Sequence, residues 1–184
     1  MSELTQKAIL QAFQDLLETT PFDKITVSAI TKRCGIHHNT FYYHYKDIYE
    51  LLEVWLTEEL GQFTDEQIEG DWKNNVKALL NTCMQHSRIV YHIFNSLSRD
   101  QLERYVFTLT DDSFTRYVRE QSEGSSVSEE RLQAIAGFCR YALLGYFLKF
   151  LWNNMTDNID ESVDRLNELV SDFVCAAIDG SKTP

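Results

Sequence analysis

Apolar residues recur at helical spacing along nearly the whole 184-residue chain, and the strict alternation of a half-buried strand is nowhere sustained. Pro21 and Pro184 are the only prolines, so everything between them lacks the strongest helix breaker. The pattern predicts an all-α protein of about nine helices. The first is LTQKAILQAFQDLLE, residues 4–18. Thr26 then caps a short helix whose Val27 and Ile30 point inward, and Gly35 lies just past its last turn, where a left-handed backbone costs glycine little. A second short helix starts at about His38, with Phe41 and Tyr45 four apart on its buried face and Thr40, Tyr42, Tyr43 and His44 outward. Asp47 caps a fourth helix while Glu50 reaches back, and its apolar face carries Ile48, Leu51, Leu52, Trp55 and Leu56. Further helices are expected over residues 72–86 and 89–95, and from the capping box Ser98-x-x-Gln101 toward residue 120.

The eighth helix, residues 128–153, carries two apolar stripes instead of one. Leu132, Ile135, Cys139, Leu143, Tyr146 and Phe150 form the first; Ala134, Gly137, Tyr141, Gly145, Leu148 and Trp152 form the second. A helix apolar on two sides is sandwiched, and glycines two turns apart let another helix come close. The last helix, residues 159–178, adds Val163, Leu166, Val170, Phe173, Val174 and Ala177. The second stripe with Leu166, Val170 and Phe173 is a candidate dimer interface; the alternative is that both stripes belong to a monomeric core.

Charge changes the picture of the N-terminal third. The chain has 17 basic and 28 acidic residues and a net charge of -11, which opposes DNA binding unless positive charge is gathered locally. Residues 26–46, TVSAITKRCGIHHNTFYYHYK, contain no acidic residue, and residues 1–50 carry a net charge of -1, leaving -10 for the rest. The paired short helices around Gly35 have the shape of a helix-turn-helix. Such a helix rarely holds DNA alone, and two related by a two-fold axis reach successive major grooves about 34 Å apart, which implies a homodimer on a roughly palindromic site. Cys34, Cys83, Cys139 and Cys175 lie far apart in apolar helical settings and read as reduced core thiols. No signal peptide precedes the first helix, and the apolar run at 141–152 is broken by Lys149, so a cytoplasmic protein with no membrane partner is expected.

The N-terminal fifty residues resemble the tetracycline-repressor (TetR/AcrR) family of one-component regulators. The match rests on the amphipathic first helix, then Phe22, Ile25 and Thr26, the glycine turn, and Thr40-Phe-Tyr-Tyr-His-Tyr-Lys46 in order. His37 stands where a serine usually caps the recognition helix, and Asn39 where glycine is common, so the operator sequence does not transfer. The resemblance implies that Thr40, Tyr42, His44 and Lys46 contact the operator, with Thr26 and Lys32 as backbone anchors on the supporting helix. Asn39 is suited to reading adenine through N6 and N7; His38 and Tyr43 are further candidates. Lys46 adjoins the start of the fourth helix, where free N–H groups favour a phosphate. The implied organisation is a three-helix DNA-binding domain at 1–46 and a ligand-binding and dimerisation domain at 47–184. In that family the last two helices pair with their copies in a four-helix interface, and a small-molecule effector changes the spacing of the recognition helices. A repressor is the expected sign. The C-terminal half also resembles a Gram-positive subgroup with a final glycine-to-tryptophan helix, which includes activators.

Candidates to line an effector pocket are Trp55, Met84, His86, Tyr91, Phe94, Tyr105, Phe138 and Tyr146, although for any one of the aromatic and soft side chains an ordinary core is the better reading. No Gly-x-Ser-x-Gly elbow, phosphate-binding glycine loop or His-Glu-x-x-His motif is present, so neither catalysis nor a cofactor is expected. Histidine spacing offers no metal set either. The competing reading is a co-regulator or activator of the same fold that works through a protein or small-molecule partner and binds DNA weakly.

Overall fold

The computed structural model describes residues 2–60 and 72–180, and these are helical throughout apart from turns. In order they form α1 (Ser2–Leu17), a 3-10 turn (Phe22–Lys24), α2 (Val27–Cys34), α3 (His38–His44), α4 (Ile48–Leu60), α5 (Trp72–Gln85), α6 (Ser87–Phe94), α7 (Arg99–Gln121), α8 (Glu129–Trp152) and α9 (Ile159–Asp179). The caps explain the boundaries. Ser98 and Gln101 make a reciprocal capping box ahead of α7, Ser128 accepts the Arg131 N–H at 3.3 Å, and Asn158 accepts the Glu161 N–H at 3.2 Å.

Contacts divide the chain into two compact units, one of residues 1–61 with 85–102, the other of 62–84 with 103–184. The expected functional division at 46/47 follows the DNA-reading sequence, whereas compactness gathers α4 and α6 with the first three helices.

Phe13 centres the first unit, edge-on to Phe22 at 6.2 Å and to Trp55 at 6.3 Å. Ile9, Leu17, Ile30, Phe41, Leu51 and Leu52 are completely buried around this cluster. Each such side chain contributes about 1.5–3 kcal/mol relative to exposure, and together they fix how α1, α2, α3 and α4 sit. Two polar contacts add α6. His92 Nδ1 donates to the Leu17 carbonyl at 2.6 Å, and the Ser96 hydroxyl lies 3.2 Å from Asp23 Oδ1.

In the second unit Trp72 of α5 packs on Phe114 of α7, with ring centroids 5.0 Å apart. Lys77 reaches Asp160 at 2.9 Å and Asp164 at 2.7 Å, and Lys73 reaches Asp164 at 3.0 Å, tying α5 to α9. Hydrogen bonds from Lys77 and then Lys73 hold the Asp164 carboxyl below its ordinary 3.8. A lowered folded-state value stabilises above the unfolded value and is lost as pH falls through the folded one. The thermal midpoints of wild type and Asp164→Asn should therefore differ above about pH 4 and converge below it, as thermal unfolding across pH would show.

The two stripes of α8 separate as their spacing predicts. Ile135, Cys139, Leu143 and Phe150 are buried in the unit's own core, whereas Tyr141 is 57% exposed and Trp152 67%. By length and composition α8 would pass for a membrane span, a reading its 24 residues allow and the shorter 141–152 run did not suggest. Its first turn nevertheless carries Glu129 and Glu130, and its first stripe is a protein core.

Candidate nucleic-acid interface

Thr26 has an extended backbone and its Oγ1 accepts the Ala29 N–H at 3.2 Å, fixing where α2 starts. Gly35 ends α2 in the left-handed region, φ 69 and ψ 31, and its N–H returns to the Thr31 carbonyl. A side chain there would be strained, so the sharp turn that presents α3 depends on glycine. His37 enters α3 without a side-chain cap, as the loss of the usual serine implies.

Phe41 and Tyr45 anchor α3 in the core, at 0% and 2% exposure. That burial turns the rest of the helix outward. Tyr43 is 81% exposed and Tyr42 56%; His38 and Asn39 are exposed, while Thr40 and His44 are half-buried. Thr26, Lys32 and Lys46 are exposed as well. Each of the nine residues expected to meet DNA is thus exposed or half-exposed in the protomer.

Its electrostatics are more restrained than the basic count suggests. Lys7 pairs with Glu3 at 3.0 Å, Lys24 with Asp23 at 2.9 Å, and Arg33 with Asp15 at 2.8 Å. Hydrogen bonds from Gln11 and then Arg33 hold Asp15 below the usual carboxylate range. Among the described residues, Lys32 and Lys46 are the basic side chains of the first fifty that make no ion pair. The start of α4 is also self-satisfied. Asp47 Oδ1 accepts the Tyr49 and Glu50 N–H groups at 2.8 and 2.9 Å, and the Lys46 N–H donates to the Glu50 carboxylate. This narrows the expectation of free N–H groups there: Asp47 takes those of Tyr49 and Glu50, and the exposed Lys46 ammonium remains for an anion.

Sequence comparison matches residues 9–54 to the family described as bacterial regulatory proteins, tetR family, and residues 70–172 to a transcriptional regulator C-terminal region. The chain belongs to the tetR family of bacterial regulators. It is a transcriptional regulator, not an enzyme.

A curated relative, the HTH-type dhaKLM operon transcriptional activator DhaS of Lactococcus lactis, is 23% identical over 141 residues, covering 76% of this chain and 74% of its own. The solved structure of a dihydroxyacetone kinase operon activator DhaS superposes with a TM-score of 0.68 at 18% identity, over 92% of this chain and 96% of that one. NalD, the secondary repressor of the MexAB-OprM multidrug efflux pump in Pseudomonas aeruginosa, superposes with a TM-score of 0.57 at 16% identity, over 94% and 98%. At these identities the superpositions show the shared tetR-type fold.

The remaining candidates of this tetR-family chain are distributed as follows. Trp55, His86, Tyr91 and Phe94 belong to the first unit, and Met84, Tyr105, Phe138 and Tyr146 to the second. Trp55 is core, Met84 and His86 are exposed, and Tyr91, Phe94, Tyr105 and Tyr146 are half-buried. Phe138 is 57% exposed and packs on Phe173 at 4.4 Å, which places it beside the dimer candidates. Gly145, Tyr141 and Trp152 are exposed and Gly137, Leu148, Leu166 and Phe173 half-buried. Val170 is buried at 5% exposure, as are Val163 and Val174. Sequence reasoning missed Ser28, whose Oγ lies 2.9 Å from His38 Nε2; two polar residues ten apart give no periodic signal.

Proposed function

We propose that the protein binds a roughly palindromic operator as a homodimer and that a small-molecule effector held in the C-terminal helices alters that binding. The observation that carries the reading is the pairing of two surfaces in one chain. One is the outward face of α3, with Asn39, Thr40, Tyr42, Tyr43 and His44 beside Lys46; the other is an uncovered apolar face on α8 and α9. That face carries Phe138, Tyr141, Trp152 and Leu169, all more than half exposed. A methyl group added at Gly145 would meet nothing within 4 Å, so the helix leaves room for a second helix. A large exposed apolar patch marks an association surface. DNA as the target places the protein in the cytoplasm.

Operator binding should be salt-dependent but shallow. With Lys32 and Lys46 as the uncommitted cations, a dimer brings four lysines, for a slope of about -4 in log K against log salt. Fluorescence anisotropy on the upstream intergenic duplex, with a scrambled duplex beside it, reads this directly. Lys46→Ala should flatten the slope by about 2 per dimer, and Tyr42→Ala should weaken the preferred duplex. A slope steeper than about -7, or equal binding to both duplexes, contradicts the reading.

A second reading is an activator, or a co-regulator with weak DNA affinity. It is favoured by the similarity to the DhaS activator and by the three basic residues of the DNA-binding unit that are already ion-paired.

A further inference from the structure

Among the described residues of the second unit, Asn75 of α5 is the only polar or charged one that is buried, at 6% exposure, and neither its Nδ2 nor its Oδ1 has a hydrogen-bond partner there. Thr31, buried in the first unit, differs: its hydroxyl donates to the Ser28 carbonyl at 3.3 Å. Trp72, one turn before Asn75 on the same face of α5, packs on Phe114, and its Nε1–H is likewise buried without a partner among the described residues. Lys73 and Lys77 turn to Asp160 and Asp164 of α9, on the other flank of that buried face. Buried amides are paired in nearly all folded proteins. A leucine would fill the same branched shape without leaving a donor and an acceptor unmet. Because the amide atoms are shut off from solvent, a partner for them has to come with a shift of α5 against its neighbours.

We propose that the Asn75 amide anchors the effector, and that the effector is an uncharged molecule carrying a hydrogen-bond donor beside an acceptor, as a carboxamide does, on an apolar body. The class follows from what the interior holds. An ionised ligand needs a buried counter-charge, and no charged side chain is buried among the described residues of this unit. The indole N–H of Trp72 offers a second donor one turn away. The anchor also supplies the coupling that control of DNA binding requires. In the closed protein the amide is unpaired, and with the ligand in place it is paired. The ligand therefore favours the shifted arrangement of α5 over the closed one, and only such a difference moves an equilibrium. The inference rests on reading the C-terminal helices as effector-binding.

The test uses three probes that share one ring and differ in polar group: benzamide, toluene and, at pH 8, the benzoate anion. Binding to the full chain is read from the indole Nε1–H signal of Trp72 in proton–nitrogen NMR spectra, assigned with Trp72→Phe. Operator affinity is read by fluorescence anisotropy. Benzamide should shift that signal saturably and bind about tenfold more tightly than toluene, with benzoate weaker still. Asn75→Leu should bring benzamide down to the affinity of toluene. It should also raise the thermal midpoint by about 3 °C, because the unmet donor and acceptor are gone. Asn75→Ala stands beside it as the variant that adds no bulk. Saturating benzamide should change the operator affinity of wild type and leave that of Asn75→Leu unaltered. The inference is overturned if benzamide does not bind, if benzoate matches it, or if Asn75→Leu keeps the preference for benzamide. It is overturned equally if neither variant is more stable than wild type, since the amide is then bonded inside the resting protein, to water or to the chain. Benzamide held through Asn75 with operator affinity unchanged defeats the effector reading itself and leaves the site without that role.

Discussion

Tyr141→Glu should convert the protein from dimer to monomer and weaken operator binding on the order of 100-fold, the gain normally supplied by linking two half-site contacts. Tyr141 is 57% exposed in the protomer and packs edge-on against Phe107 at 4.8 Å. The substitution therefore removes one aromatic contact, worth about 0.5–1.5 kcal/mol, and leaves the rest of the protomer core intact. What it adds is a carboxylate on the face of α8 that also holds Trp152, next to glycines that leave no side chain to shield it. Burying that charge between two copies has no compensating partner in the stripe, and association fails. Sedimentation velocity would show the change in mass, and far-ultraviolet circular dichroism would show helix content retained. An undiminished dimer would move the interface off this face, and a monomer with unchanged operator affinity would separate dimerisation from DNA binding.

Phe41→Ala has the largest expected effect on stability. Phe41 is completely buried, with Tyr45 and Tyr42 rings at 5.7 and 5.5 Å, and it is the residue that fastens α3 to the core. Truncating a buried phenylalanine costs about 3–5 kcal/mol. A helix of seven residues has almost no stability of its own, so the loss falls on the recognition helix first. The expected result in urea is an earlier transition of the first unit with the second little changed, and operator binding lost with it. A cost under about 1 kcal/mol would mean that α3 is held by something other than this ring.

Much of this architecture was legible because it is written in local signals. Thr26, Gly35, Asp47 and Ser98 cap or end helices within three or four residues of themselves, so spacing alone reveals them. The outward and inward faces of α3 follow from Phe41 and Tyr45 being four apart, and the two stripes of α8 follow from the helical period. What the sequence concealed depends on partners far along the chain. The ion pair of Arg33 with Asp15 spans 18 positions, the His92 bond to the Leu17 carbonyl spans 75, and neither has a periodic trace. On α9 the core stripe and the outer stripe are adjacent, and periodicity does not say which neighbour a residue such as the buried Val170 meets.

The effector side is less local still. The eight pocket candidates, six aromatic residues with Met84 and His86, were chosen by residue type, and they divide between two compact units. Side chains such as Met84 and Phe138 prove to be exposed, whereas Tyr105 and Tyr146 are half-buried.

The most direct test of a dimer reading paired half-sites is native mass spectrometry of the protein with its upstream intergenic duplex, and with the same duplex after one half-site is scrambled. Two protomers per intact duplex, falling to little or no complex on the half-scrambled one, is the predicted result. A single protomer bound equally to both duplexes, or no complex with either, would contradict it.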